Sequence, residues 1–181
     1  MNKNYEMRFT GSGGQGVILI SIIMAEAAVL AGKHTTQSQA YGPEARGGSS
    51  KAETIICDDK IWFTKVQHPN FLLALTQKAL DQYTRDLPAD TIVMIDSTLS
   101  VPANVVENKN KVYSLPILAT ATEKVGKSMV ANIVAVGAIN GALGLFDDQV
   151  MLDAVKLHIP AGTEELNLKA FNEGKNLVAG A

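Results

Sequence analysis

The 181-residue sequence is long enough to bury one sizeable core and short for two, so we expect a single domain over residues 1–181. Its net charge of −2, without any basic cluster, excludes a nucleic-acid partner, and its apolar runs are too short for a membrane span. One cysteine, Cys57, excludes an internal disulfide and an iron–sulfur cluster held by this chain alone.

The first half of the chain predicts a strand–loop–helix start followed by two more strands. Tyr5–Thr10 alternates as a strand, Gly11–Gly16 breaks it, and Val17–Ala31 has the length and periodicity of a helix. Thr35–Ser38 then predicts a short second strand and Ser49–Cys57 a third. The start, which lacks a basic region, an apolar region and a cleavage site, predicts a cytoplasmic protein.

The middle of the chain predicts a hairpin, a helix and two strands. Asp58–Lys60 has the composition of a hairpin turn that leads into a strand over Ile61–Val66. Pro69–Tyr83 predicts a helix because proline suits the first helical position. Thr91–Asp96 is almost continuously apolar, which indicates a parallel strand covered on both faces, and Lys111–Pro116 follows as the next strand.

The last third of the chain predicts helices. They cover Ala121–Gly126, Met129–Gly144, Asp148–His158 with Asp147 as its N-cap, and a final helix from Thr163 to near Gly174. Strands that alternate with helices predict a three-layer α/β fold. Its sheet is mostly parallel, has helices on both faces and contains an antiparallel hairpin.

The loop Gly11–Gly16, GSGGQG, matches the pattern G-x-G-x-x-G between a strand and a helix. Glycines let the backbone turn tightly and approach a ligand, and the free amides of a helix N-terminus attract an anion. A dinucleotide site also needs an acidic residue at the end of the second strand, where Thr35–Ser38 offers none. We therefore favour two interpretations of the loop over a dinucleotide site: it binds another anionic ligand, or it is a purely structural turn.

A second polar loop follows the second strand, between Gln37 and Ser49. Arg46 is followed by two glycines and can present its planar fork to a carboxylate or phosphate, and Tyr41 offers a ring face and a hydroxyl. The alternative is that Glu44 and Arg46 pair with each other at the surface, and composition alone does not decide between the two.

Both loops together resemble the paired signature of the gamma subunit of 2-oxoacid:ferredoxin oxidoreductases. The two segments are GSGGQGV (Gly11–Val17) and TQSQAYGPEARGG (Thr36–Gly48), and the resemblance extends over essentially the whole chain as a single pyruvate/ketoisovalerate oxidoreductase gamma-type domain. The form of the second loop is most similar to the 2-oxoglutarate members.

The resemblance implies a subunit of an enzyme of class EC 1.2.7.-, inactive alone. The complex would decarboxylate a 2-oxoacid oxidatively with coenzyme A, giving acyl-CoA, carbon dioxide and reduced ferredoxin. It also implies alpha, beta and in some members delta partners that hold thiamine diphosphate, magnesium and iron–sulfur clusters, while this chain holds no cofactor alone and shares coenzyme A. Partner surface left exposed on an isolated chain would permit a homodimer.

We expect the two loops to meet the anionic parts of coenzyme A or the substrate. The candidate binding residues are Gly11, Gly13, Gly14, Gln15, Gly16, Gln37, Ser38, Tyr41 and Arg46. Two alternatives stay open: a free-standing dinucleotide-binding oxidoreductase or redox sensor, and a purely structural docking subunit. Asp96 is a further candidate because it ends a central strand. The three histidines lack the spacing of metal ligands.

Overall fold

The computed structural model describes residues 4–41 and 49–180. Its strands are β1 (Tyr5–Ser12), β2 (His34–Tyr41), β3 (Ser49–Cys57), β4 (Phe71–Ala74), β5 (Ile92–Asp96) and β6 (Val112–Leu115). They form one sheet in the order β2-β3-β1-β4-β5-β6. The strands β1, β4, β5 and β6 run parallel, and β3 runs antiparallel to both β1 and β2.

The helices described are α1 (Val17–Leu30), α2 (Gln77–Tyr83), α3 (Ala103–Glu107), α4 (Ile117–Ala119), α5 (Ala131–Leu143), α6 (Asp148–His158) and α7 (Glu164–Ala179). A π-helical turn over Thr120–Val125 continues α4, and a 3₁₀ turn over Ser128–Val130 leads into α5. In residues 4–41 and 49–180, no helix combines the length and the apolar character that a membrane crossing requires.

Two apolar clusters cover the two faces of the sheet. On one face, buried side chains such as Met7 and Phe9 pack with α1, α5, α6 and α7. On the other face, Leu72 and Val93 pack against Leu80 of α2 and Val105 of α3. We call these the α1 face and the α2 face. The arrangement confirms the predicted three-layer α/β fold with a mostly parallel sheet and an antiparallel pair.

Helix α1 is apolar almost all round because it is covered on more than one side. It packs on β2 and β3 and also contacts α5 and α6. It ends in a Schellman arrangement, in which the amide of Gly32 donates to the carbonyl of Val29 and that of Lys33 to the carbonyl of Ala28. Gly32 has a φ of 72°, a left-handed conformation that glycine adopts without strain.

The predicted strand over residues 61–66 is wrong. No regular strand or helix occurs between Cys57 and Phe71, and the antiparallel hairpin of this sheet is formed by β2 and β3 instead. A hydrogen bond from the amide of Gln67 to the carboxylate of Glu6, at 2.9 Å, fixes the segment beside the start of β1. The predicted hairpin turn at residues 58–60 is wrong for the same reason, since no strand follows it to pair with β3.

The predicted helix over residues 69–83 is also wrong in its first half. Phe71–Ala74 forms β4, whose four residues are all buried between β1 and β5. A run of four apolar residues fits a fully buried strand and a helix equally well, so only the neighbouring strands decide the matter. The helix itself starts after Thr76, whose hydroxyl accepts a hydrogen bond from the amide of Ala79 at 3.4 Å.

Candidate functional site

The glycine loop lies where β1 ends, at the edge of the sheet where β2, β4, β5 and β6 also end, which we call the carboxyl edge. Gln15 closes this loop from inside. Its Oε1 accepts a hydrogen bond from the amide of Ser12 at 2.7 Å, and its Nε2 donates to the carbonyl of Leu75 at 3.3 Å. Gly11 makes room for this side chain, since a Cβ there would lie 2.6 Å from Oε1 of Gln15.

The other glycines of the loop have distinct surroundings. Gly13 and Gly14 are exposed, and Gly14 has a φ of 92° with open space where a Cβ would be. Gly16 has a φ of 72° and packs against α5, where a Cβ would lie 2.6 Å from Nδ2 of Asn132. The loop therefore presents backbone, without side chains, at its outer turn.

The N-terminus of α1 follows this loop without a capping side chain. Gly16 occupies the N-cap position and the first turn carries no acidic residue, and within residues 4–41 and 49–180 no side chain accepts from the first-turn amides. Such a helix end attracts an anion, because its free amides and the helix dipole both carry partial positive charge. Gln15, by contrast, uses both ends of its amide inside the loop, which makes it a residue that positions the loop.

The second loop departs from the same edge of the sheet. Tyr41 at the end of β2 is paired with Ser50, and Ser12 at the end of β1 is paired with Ser49. The strand ends that flank residues 42–48 are therefore next to the glycine loop. Arg46, Glu44 and the other residues of 42–48 lie outside the described residues, as does the side chain of Tyr41.

Gln37 and Ser38 lie on opposite faces of the sheet because they are successive residues of β2. Nε2 of Gln37 donates to the hydroxyl of Ser21 in α1 at 2.9 Å, which ties β2 to that helix. Ser38 is paired with Glu53 of β3, toward the α2 face. The structure thus does not bring these two side chains together, and their contact with a ligand stays a prediction.

The strand order does not match a dinucleotide-binding site. In that fold the second strand lies next to the first, whereas here β3 separates β1 from β2. Asp96 is also unavailable to a ligand. It is 1% exposed, its Oδ1 accepts from the hydroxyl of Thr98 at 2.6 Å, and its Oδ2 accepts from the amide of Leu118 at 2.8 Å.

A charged cluster on the α2 face was missed in the sequence. Arg8 of β1 donates through Nε to Oε1 of Glu53 in β3 at 2.7 Å, and Nζ of Lys51 lies 3.1 Å from the same oxygen. Cζ of the Arg8 guanidinium lies over the ring of Tyr83 in α2, 5.6 Å from the ring centre. Burial raises the pKa of Tyr83, which the charge of Arg8 partly opposes and that of Glu53 reinforces. The sequence feature that could have indicated this cluster is the presence of charged residues at alternate positions of two predicted strands.

Comparison with known proteins gives a consistent picture. The family model described as pyruvate ferredoxin/flavodoxin oxidoreductase matches residues 6–177. The 2-oxoglutarate synthase subunit KorC of Methanothermobacter marburgensis is 42% identical over 178 residues, which cover 96% of each chain. KorC of Methanocaldococcus jannaschii is 40% identical over 170 residues, which cover 93% of this chain and 91% of the relative.

Solved structures share the fold. The gamma subunit of the keto/oxoacid ferredoxin oxidoreductase from Geobacter sulfurreducens superposes with a TM-score of 0.85 at 42% identity, covering 98% of this chain and 99% of that one. The 2-oxoglutarate:ferredoxin oxidoreductase of Magnetococcus marinus, with 2-oxoglutarate, coenzyme A and succinyl-CoA bound, gives a TM-score of 0.89 at 18% identity. The match covers all of this chain and 32% of the Magnetococcus marinus chain, and at this identity it shows the fold alone.

Proposed function

Since this chain belongs to the pyruvate ferredoxin/flavodoxin oxidoreductase family, we propose that it is the gamma subunit of a 2-oxoacid:ferredoxin oxidoreductase that acts on 2-oxoglutarate. The substrate assignment draws on the KorC relatives, which are 2-oxoglutarate synthase subunits matched over nearly their full length. In this role the complex forms succinyl-CoA, carbon dioxide and reduced ferredoxin from 2-oxoglutarate and coenzyme A.

The redox and thiamine cofactors of this reaction belong to the partner subunits. An iron–sulfur cluster needs several thiolates, and this chain has one cysteine. Residues 4–41 and 49–180 also contain no group of three or more His, Cys, Asp or Glu side chains placed to hold a metal ion. As the family resemblance implies, alpha and beta chains and, in some members, a delta chain would supply thiamine diphosphate, magnesium and the clusters that perform decarboxylation and electron transfer.

The contribution of this chain is an anion-binding edge for coenzyme A. The observation that carries the proposal is the uncapped N-terminus of α1, reached past the exposed backbone of Gly13 and Gly14. A phosphate group of coenzyme A placed there would accept hydrogen bonds from first-turn amides. Arg46 would add a charged fork from the adjacent loop, and Gln15 would hold the glycine loop against β4.

A pair of variants at Gly13 tests this role through charge alone. Gly13→Asp places a carboxylate beside the α1 N-terminus, while Gly13→Asn has nearly the same shape and no charge. In the assembled complex we expect Gly13→Asp to raise the KM for coenzyme A roughly fivefold or more relative to Gly13→Asn. The reason is that a charge at a helix N-terminus interacts by roughly 1 kcal/mol.

The assay is anaerobic dye reduction by the purified complex, with 2-oxoglutarate, pyruvate and a branched-chain 2-oxoacid compared. Preference for another acid would overturn the substrate assignment, and purification of the chain without cofactor-bearing partners would overturn the subunit role. If the complex assembles and both Gly13 variants keep the wild-type KM for coenzyme A, the glycine loop serves only to dock partner chains.

A further inference from the structure

Among the residues that the structure describes, the charged cluster on the α2 face has more positive than negative charge in a half-buried place. Arg8 and Lys51 both approach one oxygen, Oε1 of Glu53, so two cations face one carboxylate. The side chains of Glu53, Arg8 and Lys51 are 7%, 17% and 27% exposed. Because charges lose hydration when they are buried, an unmatched positive charge here is unfavourable unless an anion accompanies it.

The guanidinium of Arg8 is held in one orientation with donors to spare. Its Nε donates to Glu53, and its Cζ lies over the ring of Tyr83, 5.6 Å from the ring centre. Among residues 4–41 and 49–180, no polar atom accepts a hydrogen bond from its two terminal nitrogens. An arginine fixed in this way presents the planar fork that binds carboxylate and phosphate oxygens in pairs.

The charged cluster is not required to hold β1 against β3. The two strands are already paired over eight residues, from Tyr5 opposite Ile56 to Ser12 opposite Ser49. One ion pair across this ladder would neutralise Glu53, yet Lys51 directs a second cation to the same oxygen. The second cation therefore points to a further negative group.

We propose that Arg8 and Lys51 form an oxyanion-binding site on the α2 face, which takes a carboxylate or phosphate group. Arg8 binds it through the two terminal nitrogens, Lys51 supplies the second charge, and Glu53 fixes both cations. Ser38 of β2, which is paired with Glu53 of β3, is the neighbouring hydroxyl on this face. The site is separated from α1 by the sheet and does not depend on the function proposed for the glycine loop.

The test uses the full chain and the nitrogen-15 signals of arginine side chains. The chain has only three arginines, Arg8, Arg46 and Arg85, so the Nε signals can be assigned by substitution. Titration with inorganic phosphate at constant ionic strength should shift the Arg8 signal along a saturating curve. A linear, unsaturated response of Arg8, or saturation of the Arg46 signal alone, would overturn the proposal.

Substitutions in the cluster should change the phosphate affinity in directions that a purely structural ion cluster would not show. Lys51→Met should weaken phosphate binding about fivefold or more while the Arg8–Glu53 pair stays intact. Glu53→Gln keeps an acceptor for Arg8 and removes the competing charge, so binding should tighten. Arg85→Lys, at an exposed site in the turn after α2, is the matched control and should leave the affinity unchanged. Weaker binding in Glu53→Gln, with the fold intact by circular dichroism, would contradict the proposal.

The source of the oxyanion is distinguished by repeating the titration in the assembled complex. If a free carboxylate or phosphate compound is the natural ligand, phosphate still shifts Arg8 in the complex and 2-oxoglutarate or coenzyme A competes with it. If the oxyanion is a carboxylate of a partner subunit, the Arg8 signal moves on assembly and no longer responds to phosphate. Both outcomes support an oxyanion site. An Arg8 signal that changes neither on assembly nor on addition of any of these anions would overturn the proposal.

Discussion

Gly16 combines a left-handed backbone with a close contact, and these two demands can be measured separately. Its φ of 72° equals that of Gly32, but a Cβ at Gly32 meets nothing within 4 Å, while one at Gly16 meets Asn132. Both alanine variants lose roughly 1–2 kcal/mol of stability to backbone strain. We expect Gly16→Ala to lose about 1–3 kcal/mol more than Gly32→Ala because of the added overpacking. Urea unfolding measures both.

Removing the contacting side chain provides the control. In the double variant Gly16→Ala with Asn132→Ala, part of the extra loss should disappear, because Nδ2 and Cγ of Asn132, at 2.6 and 3.0 Å from the added Cβ, are removed while Cβ of Asn132, at 3.0 Å, stays. Equal stabilities of Gly16→Ala and Gly32→Ala would mean that α5 does not set the position of the glycine loop. The same comparison in the complex shows whether the KM for coenzyme A follows the position of this loop.

At the scale of elements, the contact between α5 and α7 depends on glycines that let two backbones touch. A Cβ at Gly137 would lie 2.0 Å from the carbonyl oxygen of Phe171, and one at Gly174 would lie 2.0 Å from that of Val134. Gly174 is therefore a packing residue inside α7. The prediction that the last helix ends near it is wrong, since α7 continues to Ala179.

Alanine substitution in α5 tests this packing with a control in the same helix. Alanine normally stabilises a helix relative to glycine by about 0.5–1 kcal/mol. Gly141→Ala should show this gain, because its Cβ would lie 3.5 Å from Lys175, an ordinary contact. Gly137→Ala should instead lose about 2–4 kcal/mol, since backbone atoms cannot move aside independently. A gain in both variants, measured by thermal unfolding, would show that the helices do not touch at Gly137.

At the scale of the whole molecule, we propose that the chain is one cooperative domain. The buried cluster on the α1 face joins residues from both ends of the chain, from Met7 in β1 to Phe171 in α7. Unfolding of either end would expose the same core. We therefore expect the urea transitions followed by far-ultraviolet and near-ultraviolet circular dichroism to coincide. Two separated transitions would indicate that α5 to α7 unfold independently of the sheet.

The sequence by itself determined the features that rest on local chemistry. The glycine run at the end of β1 indicated the strand–loop–helix start, although the strand continues two residues past the predicted end at Thr10. The helix over Asp148–His158 was predicted with its bounds and with Asp147 at the N-cap position. The apolar run ending at Asp96 was correctly identified as a parallel strand covered on both faces. The paired loop motifs identified the family, because together they are specific in residue type and spacing.

Only the tertiary structure decided what depends on neighbours distant in the sequence. Phe71–Ala74 became a strand because β1 and β5 lie on either side of it, and Gly174 stayed within a helix because α5 packs on it. Gln15 and Asp96 were assigned structural roles once their hydrogen-bond partners were known. The cluster of Arg8 and Glu53 joins residues 45 positions apart through the register of two strands. That register is set by the packing of the whole sheet and is not encoded at either position alone.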